Sequence, residues 1–296
     1  MNGREITLAA VIMFLNEEQH LPRLLASLED QERIPDLLLF VDDGSDDRSA
    51  ELVAVFAEEH TYARTLQRPR RSREIDRMAG AAELVGFQWA VEQLGRRYDV
   101  IAKLDGDLEF PPSFFAKIMG ALEADGRIGI CGGPLSVERD GIVSPESSQP
   151  WHVRGATKFY RAACLDQISP LPAHLGWDTI DELRAQLYGW KVENVTFPDR
   201  NVLHLRPTGS YDGIVRGYRR AGVAAWAYGA HPVQVMASAL IRMRRRPRVV
   251  GGAAYLGAWL GSALRREPRA EKDVIELMRR QQRSRIQSKL LRGLPG

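Results

Sequence analysis

The sequence predicts an α/β protein, with a Rossmann-like, mostly parallel sheet followed by a helical, basic C-terminal appendage. Three observations predict it. From Ile6 to Cys131, short apolar runs alternate with segments of helical spacing, the pattern of parallel strands joined by crossover helices. Two of those runs end in acidic clusters, Asp42-Asp43-Gly44-Ser45-Asp46-Asp47 and Asp105-Gly106-Asp107. The charge is also divided: residues 1–200 carry 22 basic and 33 acidic side chains, a net of −11. Residues 201–296 carry 19 and 5, a net of +14, so the overall +3 conceals an acidic body and a basic C-terminal third.

Element by element, Ile6 to Phe14 reads as a buried strand, because a β-branched and apolar run stops at polar residues. Glu17 to Leu28 has helical spacing through Leu21, Leu24, Leu25 and Leu28. Leu37 to Val41 is a second strand, Ser49 to Glu59 a helix and Thr61 to Leu66 a third strand. Met78 to Gln93 is helical, Val100 to Leu104 a strand, Pro112 to Glu123 a helix with an early Pro, and Ile128 to Cys131 a strand. Residues 140–153 read as a loop. Asp178 to Tyr188 reads as a helix ending at Gly189, Lys191 to Phe197 as a strand, and another strand precedes His204. Pro232 to Met243 and Val249 to Leu264 are apolar helices bracketed by arginines, and Glu271 to Leu291 is a charged helix. The expected division is a catalytic domain over 1–210 and a basic helical region over 211–296.

With 44% apolar and 27% charged residues the composition is that of a folded globular chain and excludes a disordered one. Two cysteines, Cys131 and Cys164, offer neither metal-ligand spacing nor a disulfide framework, as expected of a reduced, cytoplasm-facing protein. The apolar run Leu8 to Leu15 lacks the flanks of a signal peptide. Val249 to Leu264 is shorter than the roughly 20 residues of a spanning helix.

In an open parallel sheet, ligands sit beyond the carboxyl ends of the strands, so both acidic clusters should face one crevice. Asp105 and Asp107 in a tight turn suit Mg²⁺ or Mn²⁺, hard cations that take few carboxylates plus phosphate oxygens. In the first cluster, Ser45 or Asp46 would cap the following helix and Asp47 would favour its dipole, leaving Asp42 and Asp43 to the crevice. A carboxylate there can accept the imide N–H of uracil or the N1–H and amino group of guanine.

Phe14-Leu15-Asn16-Glu17-Glu18, Val41-Asp42-Asp43-Gly44-Ser45-Asp46-Asp47 and Leu104-Asp105-Gly106-Asp107 together resemble the ordered motifs of family 2 glycosyltransferases, over about residues 5–206. The resemblance implies a GT-A fold, a nucleotide-sugar donor, a divalent metal and inversion at the anomeric carbon. It implies further that Asp43 binds the base with Asp42 alongside, and that Phe14, Asn16 and Glu17 line the nucleotide pocket. Asp105 and Asp107 would hold metal and diphosphate, with His204 completing the metal site. Gly155 and Arg77 (in the arginine-rich segment Arg68 to Gly80) join the donor-binding group, as does Arg206, which with Arg216, Arg219 and Arg220 would clamp either the diphosphate or a phosphorylated acceptor, the alternative being a solvated basic face. By the same resemblance the catalytic base falls on Asp178, although Trp177 stands where the family carries Glu. Asp181 and Glu182, one turn on, remain alternatives. Such a base takes the acceptor hydroxyl proton as the oxygen attacks.

In the C-terminal third, Tyr255, Leu256, Trp259, Leu260 and Leu264 form one stripe, and Ala253, Gly257 and Gly261 a small-residue face. That face would pack against Pro232–Met243 or against a second copy of the chain. Apolar helices flanked by Arg suit an anionic membrane surface. Nucleic acid is excluded as a partner, because the cations bracket apolar helices instead of interleaving with stacking aromatics. The expectation is an inverting, metal-dependent transferase, peripheral or monotopic on the cytoplasmic face of the membrane. It would move sugar from a UDP- or GDP-sugar to a lipid-linked polyprenyl acceptor in envelope or exopolysaccharide synthesis. The rivals are a nucleotidyltransferase, which would need a Gly-rich basic loop where Asn16-Glu17-Glu18 stands, and a non-catalytic membrane scaffold.

Overall fold

The computed structural model describes residues 5–68, 82–139, 141–146, 149, 151–206, 213–244 and 247–292, the side chains of 139 and 289–292 excepted. The chain forms two compact units. The first comprises Met1–Leu171 and Tyr188–Pro207, and the second Pro172–Leu187 and Thr208–Gly296. Segment 172–187, expected within the catalytic domain, thus groups by its contacts with the C-terminal helices.

The first unit is built on two sheets. Its strands are β1 (Leu8–Phe14), β2 (Leu37–Asp42), β3 (Ala63–Gln67), β4 (Val100–Asp105), β5 (Leu108–Glu109), β6 (Ile128–Gly132), β7 (Leu135–Arg139), β8 (Ile142–Pro145), β9 (Thr157–Arg161), β10 (Lys191–Asn194) and β11 (Val202–His204). The main sheet runs β10-β6-β9-β4-β1-β2-β3. It is parallel except where β9 runs antiparallel to both β4 and β6. All seven residues of β1 are buried, as expected of a central strand covered on both faces.

Crossover helices supply that cover. They are α1 (Leu21–Glu29), α2 (Ser49–Glu59), α3 (Ala82–Leu94), α4 (Phe114–Ala124) and the short α5 (Ala162–Ile168). In α1 the spacing of Leu21, Leu24 and Leu28 buries one face, and Pro22 stands in the first turn, where its missing N–H costs no hydrogen bond. On α4, Phe114, Phe115, Ile118, Met119 and Leu122 are buried. Phe114 stacks on Phe110 at 4.5 Å between ring centroids and meets Phe159 edge-on at 5.5 Å. Each fully buried ring contributes about 1.5–3 kcal/mol of transfer free energy.

The second sheet, ordered β5-β11-β7-β8, is small. Within it, residues 140–153, expected as a loop, contain strand β8. The strand escapes notice in sequence because all four of its residues are exposed and it pairs only with β7. Likewise β10 ends at Asn194, short of the expected Phe197.

The second unit is helical: α6 (Trp177–Leu187), α7 (Ile214–Ala227), α8 (Pro232–Met243), α9 (Val250–Leu264) and α10 (Lys272–Arg292). Its small core joins Ala225, Ala230, Val235, Ala239 and Tyr255. Helices α7 and α9 approach so closely that a Cβ on Gly222 would lie 2.2 Å from the Tyr255 carbonyl oxygen. On α9 it is Gly252 that meets α8, 2.4 Å from the Ala239 carbonyl oxygen if given a Cβ. The expected face of Ala253, Gly257 and Gly261 is therefore not the one packed on α8: Ala253 and Gly257 are exposed, and a Cβ on Gly257 would meet open space. The packed face is set by Gly252 and Tyr255, one helical step round. Of the expected stripe Tyr255 is buried, while Leu264 is 85% exposed. Helix α10 docks on α6 through Gln281 Nε2, which donates to Gln186 Oε1 at 2.6 Å, and an Arg184–Glu271 ion pair. Among the described residues no helix is long and apolar enough to cross a membrane.

Candidate active site

The loops after β1, β2 and β4 meet at the carboxyl edge of the main sheet, as parallel order requires. Asn16 has a φ of +54°, a left-handed conformation that Asn tolerates better than most residues. That turn lets its backbone N–H donate to Ser45 Oγ at 3.0 Å while its Oδ1 accepts from the Asp46 N–H at 2.9 Å. The Glu17 N–H donates to Ser49 Oγ, and the Glu18 N–H to Asp47 Oδ2. The Asn16-Glu17-Glu18 and Asp42-to-Asp47 segments are thus one laced surface. Capping differs from expectation. The helix starts at Ser49, as expected, which is too far along the chain for Ser45 or Asp46 to cap it, and Asp47 Oδ1 instead accepts the Ser49 N–H at 2.9 Å.

Asp42 and Asp43 are both buried and do different things. Asp42 Oδ1 accepts from the N–H groups of Gly44 and Ser45, holding the turn. Asp43 pairs with Arg68 at 2.9 Å, with side-chain exposures of 2% and 8%. Arg77 and the rest of 69–81 lie outside the described residues.

Gly106 allows the second acidic turn to press on the end of β1. A Cβ there would stand 2.8 Å from the Phe14 Cβ and 3.0 Å from the Met13 carbonyl oxygen. Asp105 turns to Lys103, a lysine almost wholly buried in β4, which also reaches Glu83 at 3.3 Å. Burial would strip the Lys103 proton, but Asp105 and Glu83 outweigh it and hold the ammonium charged. Burial raises the Asp105 carboxyl, with Lys103 opposing. Gly155 lies in the turn just before β9, beside Ala156, whose carbonyl accepts the Asp105 N–H at 3.1 Å.

Asp107 instead faces β11, which pairs antiparallel with β5 and parallel with β7. That register delivers His204 and Arg206 to Asp107. His204 Nε2 lies 3.5 Å from Asp107 Oδ1, and Arg206 Nη2 3.1 Å from Asp107 Oδ2. Arg206 also bonds Glu17, whose other carboxylate oxygen takes His20 Nδ1 at 2.7 Å. On the far side of the imidazole, Glu146 Oε2 stands 3.4 Å from His204 Nδ1, and Arg154 stands 3.3 Å from the same oxygen.

Burial works against a charge on His204, yet Asp107 and Glu146 hold its proton and raise its pKa to about 10. Against the same penalty, His204 and Arg206 keep Asp107 below the ordinary carboxylate range. Burial pushes Glu17 up, and the nearby Asp107 adds to the rise. Among the described residues no three His, Cys, Asp or Glu side chains converge on one ion position. Asp107 and His204 are adjacent and chemically apt for a divalent ion, one a hard carboxylate and the other an imidazole. Asp105, engaged with Lys103, is not brought to them.

The remaining candidates lie in the helical unit. Asp178 opens α6 and is partly exposed. Asp181 is wholly buried, its Oδ1 accepting the Glu182 N–H at 2.6 Å, and Glu182 is buried as well. Sequence reasoning missed Glu146, placed in a segment read as loop, and the Asp43–Arg68 pairing. No local sequence signal points to either, since β8 is exposed throughout and Arg68 stands in an arginine-rich segment.

Glycosyl transferase family 2 matches residues 9–175, more than half of the chain. The chain belongs to that family and is a glycosyltransferase. No curated protein matches it in sequence. Among solved structures, the mannosyltransferase PcManGT from Pyrobaculum calidifontis, in complex with GDP-Man and Mn²⁺, superimposes with a TM-score of 0.52 at 16% identity, covering 88% of this chain and 74% of that one. TarS 1-349 of S. aureus, in complex with UDP-GlcNAc, gives 0.52 at 16% identity over 86% and 72%. GalNAc-T7 with UDP, GalNAc and Mn²⁺ gives 0.57 at 14% over 93% and 57%. At such identities the likeness is one of fold, and the fold is GT-A.

Proposed function

We propose that this glycosyltransferase inverts the anomeric centre of a UDP- or GDP-sugar and transfers the sugar to a hydroxyl or phosphate of a lipid-linked acceptor. The observation that carries the reading is the constellation of Asp107, His204, Arg206 and Glu17 at the carboxyl edge of a family 2 sheet. Asp43 holds the base edge while Asp42 braces the turn alongside it, and Phe14, Asn16 and Glu17 form the nucleotide wall. Arg206 supplies a fixed guanidinium for the diphosphate. Asp107 and His204 are the residues that would hold Mg²⁺ or Mn²⁺. That ion, when bound, supplies positive charge that offsets the negative charge of a departing diphosphate.

Asp178 acts as the general base. Its carboxylate accepts the acceptor hydroxyl proton as that oxygen bonds to the anomeric carbon. The bond from that carbon to the diphosphate oxygen breaks, and the nucleoside diphosphate leaves with the electron pair. The partial exposure of Asp178 and the complete burial of Asp181 favour Asp178 over its alternative.

Support for a lipid acceptor comes from the helical unit by itself. Helices α7–α9 expose Ile214, Val233, Met236, Leu240, Ile241 and Leu264 beside Arg216, Arg242, Arg248 and Arg265. Exposed apolar side chains mixed with cations fit an anionic membrane interface; the cytoplasmic side and a role in envelope polysaccharide synthesis are part of the proposal. Co-flotation with phosphatidylglycerol vesicles tests this half of the reading; a protein that stays at the bottom of the gradient removes the lipid acceptor. Asp178→Asn tests the other half. Transfer should vanish while donor binding persists, and unchanged turnover would refute the base.

A further inference from the structure

The helical unit contains a cavity of about 320 Å³, at the small end of ligand pockets, which run to about 300–1,000 Å³. Its rim is cationic: Arg216, Arg219 and Arg220 from α7, and Arg265 from the C-terminus of α9. The three on α7 recur at i, i+3 and i+4 and so share one helix face. Its wall includes Ala254 and Gly257, small residues that leave the space open. Glu267 pairs with Arg265 at 2.8 Å, close to the surface, where an ion pair is weak and exchangeable.

Four guanidinium groups line this small volume, and an anion with several oxygens can bond more than one of them at once. The guanidinium fork matches phosphate oxygens in pairs. Apolar surface adjoins the rim within the cavity itself, where Leu175, Val223, Ala254 and Ala258 form the wall. We propose that this cavity binds the phosphate or diphosphate head of an amphiphilic ester. The assignment of that ester as the acceptor rests on the lipid-acceptor reading above; the binding chemistry does not.

Two ligands separate a pocket from a charged surface: inorganic diphosphate in metal-free buffer, by calorimetry, and phosphatidylcholine vesicles doped with either phosphatidic acid or phosphatidylglycerol, by flotation. The protein is the full chain, compared with Arg219→Gln/Arg265→Gln and with Arg219→Lys/Arg265→Lys. Arg219 and Arg265 are both exposed, and a thermal melt checks that the variants fold. The expected result is saturable diphosphate binding that falls about tenfold or more in the Gln variant and is partly restored in the Lys variant. Soluble diphosphate should also displace the protein from phosphatidic acid vesicles. Unchanged diphosphate affinity in the Gln variant overturns the proposal. So does equal loss on both kinds of anionic vesicle without soluble binding, which would mean general attraction to a charged surface. A protein that binds diphosphate here yet transfers sugar to no lipid phosphate would leave the pocket standing and remove the lipid-acceptor reading.

Discussion

His204 Nε2 stands 3.5 Å from Asp107 Oδ1 because a three-residue strand, β11, pairs with the two-residue strand that follows Asp107. The half of the site proposed to bind metal therefore depends on the smaller sheet, and the half proposed to bind the base on the larger one.

Protonation of His204 should be visible in stability. Its folded-state pKa of about 10 lies above the ordinary 6.5. The proton therefore stabilises the fold fully below about pH 6.5, and that contribution is lost as pH rises through about 10. Thermal melts of metal-free protein across this window should show a decline that His204→Gln flattens. Parallel curves for the two proteins would contradict the assignment.

Glu146 orients the imidazole from the side away from Asp107. Partners of this kind typically alter metal affinity by about 10–100-fold when removed. Glu146→Gln should weaken Mn²⁺ binding by that order, measured by metal titration, and leave the fold intact.

This residue also marks where sequence reading stops. The acidic turns were legible because strand–helix alternation places them at strand ends without further knowledge. Glu146 was not, because it follows an exposed four-residue strand with no apolar face to show its parity. His204 and Arg206 could be named as candidates, but the β5–β11 register that seats them on Asp107 is a long-range pairing with no local signal. Lys103 reads in sequence as an interruption of an apolar run; only its partners Asp105 and Glu83 explain it.

Asp43 and Arg68 form a buried ion pair, so removing one partner strands the other's charge. Asp43→Ala should destabilise the protein by about 3–5 kcal/mol in urea unfolding. The double variant with Arg68→Met should recover much of that loss. If the single variant unfolds at the wild-type midpoint, the pair is not buried as described.

Gly106 is fixed by its approach to β1. Gly106→Ala places a methyl group within 2.8 Å of the Phe14 Cβ, so the Asp105-Gly106-Asp107 turn must shift, at a cost of about 1–3 kcal/mol. Nucleotide-sugar affinity should fall more than global stability. A variant with wild-type donor affinity would show that the turn tolerates displacement.

The most direct measurement is release of UDP or GDP from a panel of nucleotide sugars with and without Mn²⁺, comparing wild type with Asp107→Ala. The account predicts metal-dependent release from at least one donor by the wild type, lowered by about a hundredfold or more in the variant. Release that is indifferent both to Mn²⁺ and to loss of Asp107 would contradict it.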